Sequence, residues 1–155
     1  MAERRNQEQS YGGTKPLSEA VVGEELGYRD FEVSEEQVER NAWANDDYHP
    51  WYMEGSPFGG RLVSPVYLSL YDGPELFYGY YAYPSEGSLF AKQEFEYRKP
   101  VLVGREYRMS GRIEDISERR GRTFLRMAVS VVDRQSGDEV MRMAKLIAWP
   151  VKARE

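Results

Sequence analysis

The residues best suited to acid–base chemistry crowd into one short run, Asp46-Asp47-Tyr48-His49-Pro50-Trp51-Tyr52. His49 is the only histidine in 155 residues, and so the one side chain whose ordinary titration falls near neutral pH. Asp47 is a candidate base, more so if burial among Tyr48, Trp51 and Phe58 raises its pKa. Tyr52, with an ordinary pKa of about 10, is a poor base at neutral pH but an adequate proton donor. Against these stands a plainer reading, in which His49 is a hydrogen-bonding turn residue. Asp46 and Asp47 are adjacent and point apart in a turn, with no partner ligands at metal spacing, so no metal site is read. The absence of Cys excludes a thiolate nucleophile, a disulfide framework, a thiolate zinc site and an iron–sulfur cluster. A single His excludes any site that needs two His ligands. No cofactor is expected.

These residues need a scaffold, and the sequence marks one. Ser34-Glu35-Glu36-Gln37 has the capping-box pattern, which predicts a helix over Glu35 to Asn45 with Val38, Ala42 and Trp43 at helical spacing. The helix ends in the turn-prone run Asn45 to Pro50, so the candidate acid–base residues sit just past its C-terminus. A loop follows, Gly55-Ser56-Pro57-Phe58-Gly59-Gly60, and then Leu62-Val63 leads into Ser64-Pro65. Val66 to Tyr71 reads as a buried helix, with Ser64 as its cap and Pro65 at its first position. Tyr78 to Pro84 is an aromatic loop.

From Ser88 the period changes to two. Phe95 and Tyr97, then Tyr107, Met109 and Ile113, then Leu125, Met127, Val129 and Val131, and finally Met141, Met143, Lys145, Ile147 and Trp149 mark one face of successive strands. Arg119-Arg120-Gly121 and Gln135-Ser136-Gly137-Asp138 read as hairpin turns. The pattern predicts three or four antiparallel strands after the helices, an α+β class. Residues 1–27 read as a largely flexible segment whose apolar patch, Leu17 to Val22, either pairs with a later element or belongs to a plain tail. Residues 28–155 then form one domain.

Bulk composition agrees with a folded chain. Apolar residues make up 41% and aromatics 14%, with 12 Tyr, which argues against disorder despite 30% charged residues. The net charge of −5 makes nucleic acid an unsuitable partner. No run approaches 18 apolar residues and no signal-like leader is read, so a cytoplasmic location away from membranes is expected.

Several of these features, in order, carry a resemblance. Phe31-Glu32-Val33-Ser34 precedes the helix, and Asp47-Tyr48-His49-Pro50-Trp51-Tyr52 follows it. Then come Phe58-Gly59-Gly60-Arg61-Leu62-Val63-Ser64-Pro65 and, after the second helix, Phe95-Glu96-Tyr97-Arg98-Lys99-Pro100-Val101-Leu102-Val103-Gly104. From Phe31 to Pro150 the chain resembles the MaoC-like family of hotdog proteins, which includes (R)-specific enoyl-CoA hydratases and related acyl-thioester dehydratases. The resemblance implies a hotdog fold, an antiparallel sheet wrapped around a central helix.

It also implies a site. The family's segment runs Asp, any residue, Asn, Pro, any residue, His, and its Asp and His flank the water that is added or removed. Asp47 matches the Asp and Pro50 the Pro, whereas His49 stands at the Asn and Tyr52 at the catalytic His. Ser64 stands for a second His, and Pro65 for a Gly whose N–H polarises the thioester carbonyl. Proline has no N–H, so the Val66 N–H and the Ser64 hydroxyl are the implied substitutes. Trp51, Phe58 and Tyr71, with Tyr67, Tyr78, Tyr80, Tyr81 and Tyr83, are candidates to line an acyl tunnel, although such aromatics more often form core or interface. Arg98, Lys99 and Arg105 are candidates for carrier phosphates.

Three functions follow. The first is a divergent hydratase or dehydratase acting on an acyl-thioester of CoA or acyl carrier protein, with Asp47 and His49 or Tyr52 as the acid–base pair. The second is a non-catalytic, substrate-holding hotdog subunit of a heteromeric dehydratase, which accounts for all three departures together. The third is a redirected site, a thioesterase or a secondary-metabolism cyclase. Each implies an oligomer, a homodimer or a heterodimer with another hotdog chain.

Overall fold

The computed structural model describes residues 13–68, 81 and 87–151. The chain enters through a short 3₁₀ turn at Leu17–Glu19 and forms β1 (Glu25–Glu32), α1 (Glu35–Asn45), α2 (Pro50–Met53) and α3 (Pro65–Leu68). Four strands follow: β2 (Leu89–Tyr97), β3 (Glu106–Arg119), β4 (Arg122–Asp133) and β5 (Glu139–Pro150). They make one antiparallel sheet in the order β1-β3-β4-β5-β2.

The sheet has five strands, one more than alternation alone suggests, and the extra one precedes the helices. β1 escapes the period-two pattern because its register shifts between Glu25 and Tyr28, where Gly27 takes a φ of +77°. Its two buried residues, Leu26 and Phe31, therefore lie an odd number of positions apart. The strand begins inside the segment read as flexible, and Leu17 and Ala20 pack against the core.

Alternation in the other strands sorts their side chains as the pleat requires. Tyr107, Met109 and Ile113, then Leu125, Met127, Val129 and Val131, then Met141, Met143 and Ile147 are almost wholly buried on the inner face. Ser110, Arg112, Arg126, Ser130 and Arg142 take the outer one. Lys145 shares the inner face, buried, with its ammonium 4.6 Å from the centre of the Phe90 ring. Leu68 of α3 and Tyr81 join this core, and the Tyr81 hydroxyl bonds the Glu24 carboxylate. Of the helix expected over Val66 to Tyr71, the last three residues lie outside the described ones, as do Tyr78, Tyr80 and Tyr83.

α1 occupies the expected span because both halves of its capping box form. The Gln37 N–H donates to Ser34 Oγ at 3.2 Å, and the Ser34 N–H to Gln37 Oε1 at 2.8 Å. Val38 and Ala42 are buried, whereas Trp43, one step further round the helix, is 74% exposed and meets Tyr48 edge-on.

β3 and β4 are joined by the two-residue turn Arg120-Gly121, with φ of +51° and +71°, as a type I′ hairpin requires. The turn between β4 and β5 is organised by Asp133. Its carboxylate accepts the Gln135 and Ser136 N–H groups at 2.8 and 3.2 Å and pairs with Arg105 at 2.5 Å. Burial pushes the Asp133 pKa up, but these donors outweigh it and hold the carboxyl below its ordinary range. A depressed carboxyl stabilises the fold above the ordinary carboxylate pKa, and that contribution is lost as pH falls through the lowered value. Unfolding by urea should therefore become easier below about pH 4. Asp133→Ala should cost about 2 kcal/mol at neutral pH and flatten the acid limb; an unchanged acid limb would remove Asp133 from this role.

Candidate active site

The site is built where α1 stops. Asp46 adopts the left-handed conformation (φ 52°, ψ 39°), which Asp tolerates better than most residues. The next N–H, that of Asp47, turns back to the Ala42 carbonyl at 3.0 Å. The chain then re-enters a helix at once. His49 is the N-cap of α2, Pro50 its first residue, and His49 Nδ1 accepts the Trp51 N–H at 3.2 Å.

That bond decides what His49 offers. A neutral imidazole that accepts at Nδ1 carries its proton on Nε2. The outward nitrogen is then a donor, and the lone pair a general base needs is already engaged with backbone. The ring packs against Trp51 at 5.3 Å and Tyr52 at 5.6 Å between centroids. Asp47, Tyr48, His49, Trp51 and Phe58 are all exposed, so the burial expected to surround Asp47 is absent.

α2 is anchored from below. The Leu62 N–H donates to the Trp51 carbonyl at 2.8 Å, and Arg61 Nε to the Tyr52 carbonyl at 2.6 Å. The same guanidinium reaches Glu39 on α1 at 3.3 Å. Arg61 thus ties α2 to α1, a contact between residues 22 apart that no local pattern announces.

Between α2, the start of α3 and the end of β2 lies a cleft of about 390 Å³. Trp51, Tyr52, Leu62, Pro65, Leu68 and Tyr97 wall it, with Arg98 and Lys99 at its polar side. Tyr97 crosses from β2, and its hydroxyl donates to the Pro65 carbonyl at 2.8 Å. Burial pushes the Tyr97 pKa up, which keeps that proton in place. Of the residues singled out by sequence, Trp51, Tyr52, Pro65, Arg98 and Lys99 line this cleft. Asp47, His49, Phe58, Ser64 and Val66 do not, and Tyr71 lies outside the described residues. Ser64 is buried beside the start of α3, where its carbonyl accepts the Leu68 N–H, and Val66 is exposed. Tyr97 was legible only as one member of an alternating strand.

The cations proposed for phosphate are engaged with the chain's own carboxylates. Arg98 pairs with Glu96 and Glu139, Lys99 with Asp138, and Arg105 with Asp133. Each guanidinium or ammonium thus has one of the chain's own carboxylates beside it, the arrangement of an ordinary charged strand face. A larger depression, about 490 Å³, lies on the outer face of the sheet among Glu94, Glu114, Arg126, Glu139 and Arg142. There too the charges neutralise one another. Among the described residues no three His, Cys, Asp or Glu side chains gather as metal ligands, and no helix is long and apolar enough to cross a membrane.

The cap and base roles of His49 separate by substitution. His49→Asn keeps a side-chain acceptor and should retain the wild-type melting temperature, whereas His49→Ala should lose about 1 kcal/mol. A His49→Asn variant that keeps both its fold and whatever activity the wild-type protein shows would mark the residue as the cap; loss of activity alone would make it a base.

Comparison with known proteins places this geometry. The model of the FAS1-like, dehydratase domain region family matches residues 20–143. No curated protein matches the chain. Among solved structures, the (R)-hydratase of A. caviae involved in PHA biosynthesis superposes with a TM-score of 0.67 at 18% identity, covering 85% of this chain and 98% of that one. A MaoC-like dehydratase of Rhodospirillum rubrum gives 0.68 at 19% identity over 86% and 96%. The C-terminally truncated HadBC (3R-hydroxyacyl-ACP dehydratase) complex of Mycobacterium tuberculosis gives 0.71 at 20% identity over 86% and 100%. The sheet order, Leu68 of α3 packed on the inner face and the likeness to these structures together establish an α+β hotdog fold shared with MaoC-like proteins, and the chain belongs to the FAS1-like, dehydratase domain region family.

Proposed function

We propose that this chain is the substrate-holding half of a hydratase or dehydratase that acts on an acyl-thioester, with the general base supplied by a second hotdog chain. One observation carries the reading: among the described residues no carboxylate or imidazole lines the cleft at the start of α3. Removing water from a 3-hydroxyacyl-thioester needs a base for the proton next to the carbonyl and an acid for the departing hydroxyl. The walls here offer tyrosine side chains, and a phenol is a donor rather than a base at neutral pH; the Tyr97 hydroxyl already donates to the Pro65 carbonyl, which leaves that of Tyr52. Trp51, Leu62, Pro65 and Leu68 supply apolar surface for an acyl chain. The likeness to the HadBC complex, in which two chains carry a dehydratase, supports a partner of this kind.

A second reading has its own observation. His49 packs against Tyr52, which does line the cleft, and a shift of the imidazole off the Trp51 N–H would free a base beside a donor. In that case the chain is a self-sufficient divergent hydratase with Asp47, His49 and Tyr52 at its centre.

Hydration of a short trans-2-enoyl-CoA, followed by loss of enoyl absorbance, separates the two. Expected are negligible turnover by the chain alone and turnover once a co-purifying hotdog partner is added, surviving Asp47→Asn. Turnover by the chain alone that falls about 10²–10⁴-fold in Asp47→Asn would instead establish the second reading.

A further inference from the structure

We propose that the tip of the β3–β4 hairpin is a binding site for an organic phosphate, formed by Arg119, Arg120 and Arg122. Elsewhere on the outer face the guanidinium groups sit beside carboxylates: Arg108 on Asp30, Arg126 on Glu94 and Glu114, Arg142 on Glu139. The hairpin tip differs. Among the described residues no carboxylate lies within ion-pairing distance of Arg119, Arg120 or Arg122.

The sequence makes two locally unfavourable choices here. Arg119 and Arg122 are directly opposite one another across the strands, and like charges so placed repel. Arg120 takes a φ of +51° in a turn whose first position suits Asn, Asp or Gly. Choices that oppose the fold's own preferences gather where a surface has another task.

Two of the three groups are also held in place. Arg122 Nη1 donates to the Gly87 carbonyl at 3.0 Å, leaving the rest of its fork unused, and the Arg119 guanidinium lies over the Phe124 ring at 4.8 Å. Planar forks fixed in this way suit the oxygens of a phosphate, which accept paired N–H bonds and neutralise the like charges. On a chain of net charge −5, such a local patch is what an anion would find. The tip lies at the far end of the sheet from the cleft, since Arg122 is level with Pro150 whereas Tyr97 is level with Met141 and Val131, roughly 30 Å away at about 3.3 Å per residue; the anion site therefore stands apart from the cleft of the same chain and does not rest on the thioester reading.

The test is calorimetric titration of the whole chain with CoA, 4′-phosphopantetheine and pantetheine, which lacks phosphate. CoA should bind, more weakly as salt rises, and pantetheine should not. Arg119→Gln with Arg120→Asn should weaken CoA binding at least tenfold while the melting temperature stays level or rises, because the substitutions relieve repulsion and a disfavoured turn residue. Binding of phosphopantetheine equal to CoA identifies the arm's phosphate as the ligand; binding of CoA alone identifies the nucleotide phosphates. Equal binding of pantetheine, unchanged affinity in the double variant, or no binding of CoA or phosphopantetheine by the wild-type chain overturns the site. Failure of enoyl-CoA hydration beside intact, variant-sensitive CoA binding would count against the function and not against the site.

Discussion

The fold depends on keeping the inner face of β4 dry. Leu125, Met127, Val129 and Val131 are almost wholly buried at the centre of the sheet, with β3 and β5 presenting matched apolar rows on either side. A single sheet face of that size has to be covered, and burial of apolar surface drives the covering. The chain uses Leu68, the last residue of α3, with Tyr81 and the N-terminal residues Leu17 and Ala20 for part of it. The candidate cleft is a consequence of this arrangement. It forms where α3 begins to lie down on the sheet, between the last turn of α2 and the end of β2.

Much of this was legible in the sequence because it is decided locally. The capping box at Ser34 and Gln37 places α1, and the turns at Arg119-Arg120-Gly121 and Gln135-Ser136-Gly137-Asp138 place three strands in register. Once register is set, the period of two assigns every side chain a face. β1 was hidden for a local reason as well, since the irregularity at Gly27 breaks the period that would have revealed it.

The site was less legible, for a different reason. Its walls come from residues that meet across long stretches of chain. Tyr97 reaches Pro65 over 32 positions and Arg61 reaches Glu39 over 22. A motif marks residues by type and spacing, so it found Asp47, His49 and Tyr52, but spacing alone does not say which of them a cleft contains. The N-cap bond from the Trp51 N–H to His49 Nδ1 shows how type misleads here. The same imidazole that reads as a base in sequence serves as an acceptor for backbone, the task an Asn side chain performs equally well.

This difference bears on how a divided site works. On the reading proposed above, the pocket and the base belong to different chains, so the element that walls the pocket has to be one a second chain can reach. β2 meets that requirement. Among the described strands it is an outer one, paired with β5 alone, and Leu89 and Phe90 along it are exposed. An outer strand carries unpaired backbone donors and acceptors that favour another strand beside it. Tyr97 stands at the end of that strand and reaches the start of α3. On that reading, a chain that docks along β2 would arrive next to the cleft, where a carboxylate or imidazole of its own would supply the base that the described walls lack.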